Sequence, residues 1–77
     1  MIKIDTYYIQ HISIQIRHLP SGDIAIWHPF NLFLANKIDG ICRNRGRWDR
    51  QYNNWIVFSQ FKLDVISEIK SKGVQHG

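Results

Sequence analysis

From Tyr8 to His18 the chain alternates, with Ile12, Ile14 and Ile16 on one parity and His11, Ser13, Gln15 and Arg17 on the other. A period of two is the repeat of an extended strand, because successive strand side chains point to opposite faces. A helix would scatter those isoleucines around its circumference, and their β-branching also favours the strand. Leu19-Pro20-Ser21-Gly22-Asp23 then concentrates turn residues, after which Ile24 and Ile26 alternate with Ala25 and Trp27. The pattern predicts a β-hairpin over residues 7 to 28, with an apolar face that must find a cover.

Pro29 stops the second strand, and Asn31 is placed to cap a helix by accepting a first-turn N–H. Leu34, Ile38 and Ile41 recur at spacings of four and three, one face of a helix. Phe30 is expected to close over the start of that face. Gly40 stands where a C-cap belongs, which bounds the helix to about 31 to 40.

A second hairpin is expected from about Arg45 to Phe58. Trp48 lies in its first strand, Trp55-Ile56-Val57-Phe58 forms the second, and Arg50-Gln51-Tyr52-Asn53-Asn54 turns between them. Trp48 and Trp55 then fall on adjacent strands as one aromatic cluster. Ser59 is read as the cap of a second helix, with Phe58 and Leu63 as a hydrophobic staple around it. Phe61, Val65, Ile66 and Ile69 make its buried stripe, Glu68 and Lys72 an exposed pair, and Gly73 its end.

The elements give the order β-β-α-β-β-α, an α+β fold in which an antiparallel sheet carries two helices packed on one face. A chain of 77 residues supports a single small domain over 1–77, with an ordered core of about 6–73 and a frayed Val74–Gly77 tail. Ile alone fills 13 positions of the sequence, which argues against disorder.

Chemistry is excluded by what the residues do not form. One Cys rules out an internal disulfide and any four-Cys zinc site, and fits a reducing compartment. His11, His18 and His28 match no ligand spacing with Cys42, so neither a metal nor a cofactor is expected. Cys42 reads as a packing residue at the helix end. The six carboxylates are scattered and Gly46 is isolated from any phosphate-binding loop, so the chain reads as no enzyme. The apolar stretches, such as Phe30 to Ala35, fall far short of the roughly 20 residues a bilayer needs. Met1-Ile2-Lys3-Ile4-Asp5 has no basic-then-apolar leader pattern, and the expectation is a cytoplasmic protein without a membrane partner.

The charge is localised. Arg43, Arg45, Arg47 and Arg50 stand against Asp49 within eight residues, so most of the formal net charge of +4 lies there. Arg43, Arg45 and Arg47 alternate, which on an extended segment would project them to one side. Guanidinium forks of one sign suit phosphate, and Tyr52 beside them could stack on unpaired bases. The competing reading is a solvated connector between helix and hairpin. Trp27, opposite Ile24 and Ile26, is either a partner contact or buried against the second hairpin.

The stretch Gly46-Arg47-Trp48-Asp49, a polar turn, Trp55-Ile56-Val57-Phe58 and a following helix resembles the HARP module of annealing helicases, primase-attached domains and plasmid DNA-processing enzymes. The resemblance runs from about Phe33 to Lys72. It implies a nucleic-acid-binding accessory domain without catalysis of its own. It also implies framework roles for Trp48 and Trp55, a hairpin-ordering role for Asp49, and a DNA-facing Arg47.

Two functions follow as expectations. The first is a small non-enzymatic nucleic-acid-binding module contacting the phosphate backbone through Arg43, Arg45, Arg47 and Arg50, with Tyr52 and Trp27 as further contacts. Its ligand is single-stranded, duplex or forked nucleic acid. The second is a phage- or plasmid-type inhibitor or adaptor, anti-CRISPR-like, that turns the same patch on an acidic protein surface or a protein–nucleic-acid complex. Exposed sheet edges also offer pairing with a second copy as a homodimer.

Overall fold

The computed structural model describes residues 3–72, apart from the Lys72 side chain. Strands β1 (Lys3–Ile9), β2 (Ile12–His18) and β3 (Ile24–Trp27) lead into helix α1 (Leu32–Cys42). Strands β4 (Gly46–Asp49) and β5 (Asn54–Val57), a 3-10 turn (Ser59–Phe61) and helix α2 (Lys62–Lys72) follow. The strands form one sheet in the order β1-β2-β3-β5-β4, and every neighbouring pair is antiparallel. This is an α+β fold, and β2-β3-α1-β4-β5-α2 within it is the order the sequence predicts.

Strand β1 is the addition. The alternation from Tyr8 to His18 contains a reversal at Gln10 and His11, whose φ angles of 50° and 67° are those of a mirror-image two-residue hairpin turn. The turn pairs Ile9 directly with Ile12, so the apolar parity switches from odd to even while the face stays the same. The strand predicted from residue 7 is therefore the end of β1 and the whole of β2.

One face of the sheet carries Ile9, Ile14, Ile16, Ile24, Ile26 and Val57, all buried. Leu34, Ile38 and Ile41 of α1 and Val65 and Ile69 of α2 join them in one cluster, with Phe61, Ile66 and Trp55 packed against it. Both helices therefore cover this face. Each buried Ile or Leu contributes about 1.5–3 kcal/mol over an exposed one, which is how so short a chain stays folded.

Both helix ends differ in detail from the expectation. Asn31 does cap α1, its Oδ1 accepting from the Leu34 N–H at 3.0 Å. Gly40 does not end the helix, because Ile41 and Cys42 beyond it are buried and carry the helix on. The chain turns at Arg43-Asn44 instead, with Asn44 at φ 66° and the Arg45 N–H reaching the Cys42 carbonyl at 2.9 Å. Phe30 is fully exposed and does not close over the helix, since the extended backbone at Asn31 turns it away from the apolar stripe.

At α2 the Ser59 backbone N–H donates to Asp23 Oδ1 at 2.9 Å, and the Ser59 hydroxyl makes no capping bond among the described residues. The 3-10 turn delays the helix to Lys62, which leaves Phe58 and Leu63 exposed and without the expected staple. Glu68 pairs with Arg45 of the preceding connection. The Lys72 side chain, Gly73 and the tail lie outside the described residues.

Candidate functional site

Among the described residues, the second face of the sheet carries no helix. Cross-strand register places Ile4, Arg17, Ala25, Ile56 and Arg47 in one row across all five strands. Toward the β1–β2 turn, Gln15 and Trp27 are paired on the same face, as are Asn54 and Asp49. The row is low in the middle because Ala25 is its smallest side chain. Ala25 is only 5% exposed, walled in by longer neighbours.

Tyr52 reaches this face from the β4–β5 turn. Asp49 Oδ1 accepts from the Gln51 N–H at 2.9 Å and from the Tyr52 N–H at 3.4 Å, while Asn53 takes a φ of 53°. A carboxylate bonded to the backbone two and three residues on is a local device that fixes a turn. Here it orders the hairpin and sets the position of Tyr52.

Two shallow depressions result. One, of about 300 Å³, is bounded by Ile4, Gln15, Arg17, Trp27, Tyr52 and Asn54 over Ala25. The other, of about 360 Å³, shares Arg17, Ala25, Tyr52 and Asn54 and extends to Arg47, Asp49, Asp23 and Ser21. The two adjoin along these shared residues. Trp27 is 41% exposed and Tyr52 64% exposed beside them. Asn54 lines both depressions; its Oδ1 is buried beneath them and has no hydrogen-bond partner among the described residues. An unmatched buried acceptor costs about 1–3 kcal/mol.

The charged run 43–50 is divided by the fold. Arg43 lies just past α1 and pairs with Asp39 one turn back. Arg45 pairs with Glu68, and that hydrogen bond is the main reason its guanidinium is held above its ordinary pKa. The alternation of Arg43, Arg45 and Arg47 is not one of an extended segment, because the left-handed Asn44 breaks it. Arg47 alone of the three lies on the open face, and Arg50 is exposed in the turn. Neither Arg47 nor Arg50 has an ion-pair partner among the described residues, and the same holds for Arg17. Ala25 and Asn54 carry no signal of their own in the sequence, and Gln15 carries only its outward parity. Arg17 was legible as the outward residue of an alternating strand, and that parity was the available clue.

The remaining candidates lie away from these depressions or are held by neighbouring groups. Trp48 pairs with Trp55 edge to face, ring centroids 5.9 Å apart, at the rim of the helix-covered face. His18 Nε2 lies 2.8 Å from Asp5 Oδ2, and His28 Nδ1 lies 3.0 Å from the Pro29 carbonyl. Among the described residues no three His, Cys, Asp or Glu side chains gather as a metal would require. Cys42 is buried, and burial, with Asp39 adding to it, pushes its thiol up to about 12. It is held protonated, unlike a nucleophile. No helix of the described residues is long and apolar enough to cross a membrane.

No family model, no curated protein and no solved structure matches the chain. None of these comparisons identifies a HARP module in the chain.

Proposed function

We propose that this chain is a non-enzymatic module that binds single-stranded nucleic acid on its open sheet face. The observation that carries the reading is the joint exposure of Trp27 and Tyr52 beside Arg17 and Arg47, around the low centre at Ala25. Aromatic rings take unstacked bases, guanidinium groups take phosphate or stack in turn, and a sheet holds both in fixed register. Arg17 and Arg47 lie three strand spacings apart, about 14 Å. They thus contact separate points along a bound strand. Gln15 and Asn54 supply amides for base edges within the same depression. Asp23 and Asp49 temper the charge of the surface, and each is already committed to a backbone N–H. This favours base stacking over bulk phosphate attraction as the source of affinity.

In this reading Arg47 and Tyr52 contact the ligand together with Trp27, Arg50 flanks them, and Arg43 and Arg45 serve the fold. The lone buried thiol suits a reducing cytoplasm. The test is titration of labelled single-stranded, duplex and forked oligonucleotides of both sugars at two salt concentrations. Single strands should bind best, quench Trp fluorescence, and show a modest salt slope. Equal or absent binding to all of them rejects the proposal.

A second reading, an inhibitor or adaptor of the anti-CRISPR kind, is favoured by Phe30 and Leu32, an exposed apolar pair at the start of α1. It gains weight if no oligonucleotide binds and a host protein is retained by the wild-type chain but not by the Phe30→Ser/Leu32→Ser variant.

A further inference from the structure

The two edges of the sheet are unlike. β4 is four residues long and places the charged Arg47 and Asp49 on the open face, the usual protection of an exposed edge. β1 has seven residues, Lys3-Ile4-Asp5-Thr6-Tyr7-Tyr8-Ile9, with no proline, an unbroken register against β2, and its one lysine at the extreme end. Its other charge, Asp5, has the parity of the helix-covered face and is engaged by His18, so no charge stands among the outward-facing residues Ile4, Thr6 and Tyr8.

The turn fixes which backbone groups the edge offers. Ile9 and Ile12 flank a two-residue turn and so exchange both backbone hydrogen bonds. Tyr7, Asp5 and Lys3 follow in the same phase and face β2. The N–H and C=O groups of Ile4, Thr6 and Tyr8 therefore point outward. Their side chains lie on the open face, where Ile4 is 50% and Tyr8 37% exposed.

We propose that β1 is a self-pairing edge, joining two copies antiparallel about a twofold axis at Thr6. In this register Thr6 meets Thr6, and Ile4 meets Tyr8 of the other copy in both directions. It brings every outward N–H and C=O of β1 into a hydrogen-bonded pair. It is also the register that overlaps the whole strand. Moving the axis to Asp5 or Tyr7 keeps the hydrogen-bond phase but strands one end and separates Ile4 from Tyr8. The Ile4–Tyr8 pairs are β-branched against aromatic, a favourable cross-strand combination, and no like charges are opposed. The two sheets become one, and on the nucleic-acid reading the depression that Ile4 borders in one copy gains Tyr8 of the second copy as a further ring.

Sedimentation velocity of the full chain over a concentration series tests the pairing, and single cysteines test the register. The wild-type chain should form a dimer that dissociates on dilution. Thr6→Pro removes an outward N–H that the monomer does not use, so the variant should fold as the wild type does. Its dimer dissociation constant should rise on the order of 100-fold. Thr6→Cys should cross-link to itself on oxidation, because residues in a hydrogen-bonded pair lie about 5.5 Å apart between Cα atoms, within disulfide reach. Ile4→Cys alone should not cross-link, and Ile4→Cys mixed with Tyr8→Cys should. A chain monomeric at every concentration overturns the proposal. So does a Thr6→Pro chain that dimerises normally or fails to fold, or cross-linking by Ile4→Cys alone. Because sedimentation uses no nucleic acid, this outcome is separable from that of the oligonucleotide titration.

Discussion

Arg45 donates to Glu68 across a separation of 23 residues, tying the connection after α1 to the middle of α2. The contact converts a residue that reads as part of a basic binding run into a clasp between elements. Both side chains are about one-third exposed, so the pair is screened and its value modest. Arg45→Ala should lower the urea midpoint of unfolding only slightly. Glu68→Ala should do much the same, and the double variant should cost less than the sum of the two.

Gly40 and Gly46 should respond oppositely to alanine. A Cβ at Gly40 meets nothing within 4 Å, and the residue lies inside α1, so Gly40→Ala should stabilise by about 0.5–1 kcal/mol. A Cβ at Gly46 would stand 2.1 Å from the Ile56 carbonyl oxygen, so Gly46→Ala must push β4 off β5. Thermal melts should show a raised midpoint for the first and a loss of at least about 2 kcal/mol for the second, as overpacking against backbone demands.

Gln10 and His11 occupy left-handed backbone that neither prefers. Replacing them with Asn-Gly should remove that strain and raise stability by about 1 kcal/mol or more while leaving the β1–β2 register unchanged. A lowered melting midpoint would mean the turn is held by something other than its backbone geometry.

The same turn shows why the fold was only partly legible. Ile12, Ile14, Ile16, Leu34, Ile38, Ile41, Val65 and Ile69 declare their faces by spacing, and the structure buries all of them but Ile12, which is partly buried against the same core. The Gln10-His11 reversal carries neither Gly nor Asn, so only the change of parity between Ile9 and Ile12 betrays it. At Gly40 burial of Ile41 and Cys42 outweighed the local preference of glycine for a helix end. The candidate site was least legible for the same reason. Arg17, Ala25, Gln15 and Asn54 come together only through sheet register, whereas the run from Arg43 to Arg50 is contiguous in sequence and separated in space. Trp27 and Tyr52 were visible, because outward parity and a turn position mark exposed rings.

Cys42 should give a pH-dependent stability of definite sign. Burial holds its folded pKa near 12, above the ordinary 9.0, so the unfolded chain ionises first as pH rises. The thiol's contribution is intact below pH 9.0 and is progressively lost between there and about 12. Cys42→Ser should flatten stability against pH across that window. At neutral pH, labelling of Cys42 by a thiol reagent should proceed only at the rate at which the chain opens, and should accelerate with mild denaturant.

If the helix-free face binds nucleic acid, paired variants measured against one single-stranded oligonucleotide at fixed salt will separate its residues from the rest of the charged run. Trp27→Ala and Arg17→Ala/Arg47→Ala should each weaken binding on the order of 10- to 100-fold, the scale of one lost stacked base or of two lost guanidinium contacts. Arg43→Ala/Arg45→Ala, which removes the same formal charge from groups already paired with carboxylates, should change affinity by no more than about threefold. The reverse order, with the second pair of arginines decisive and Trp27 and Arg17 dispensable, would contradict the account.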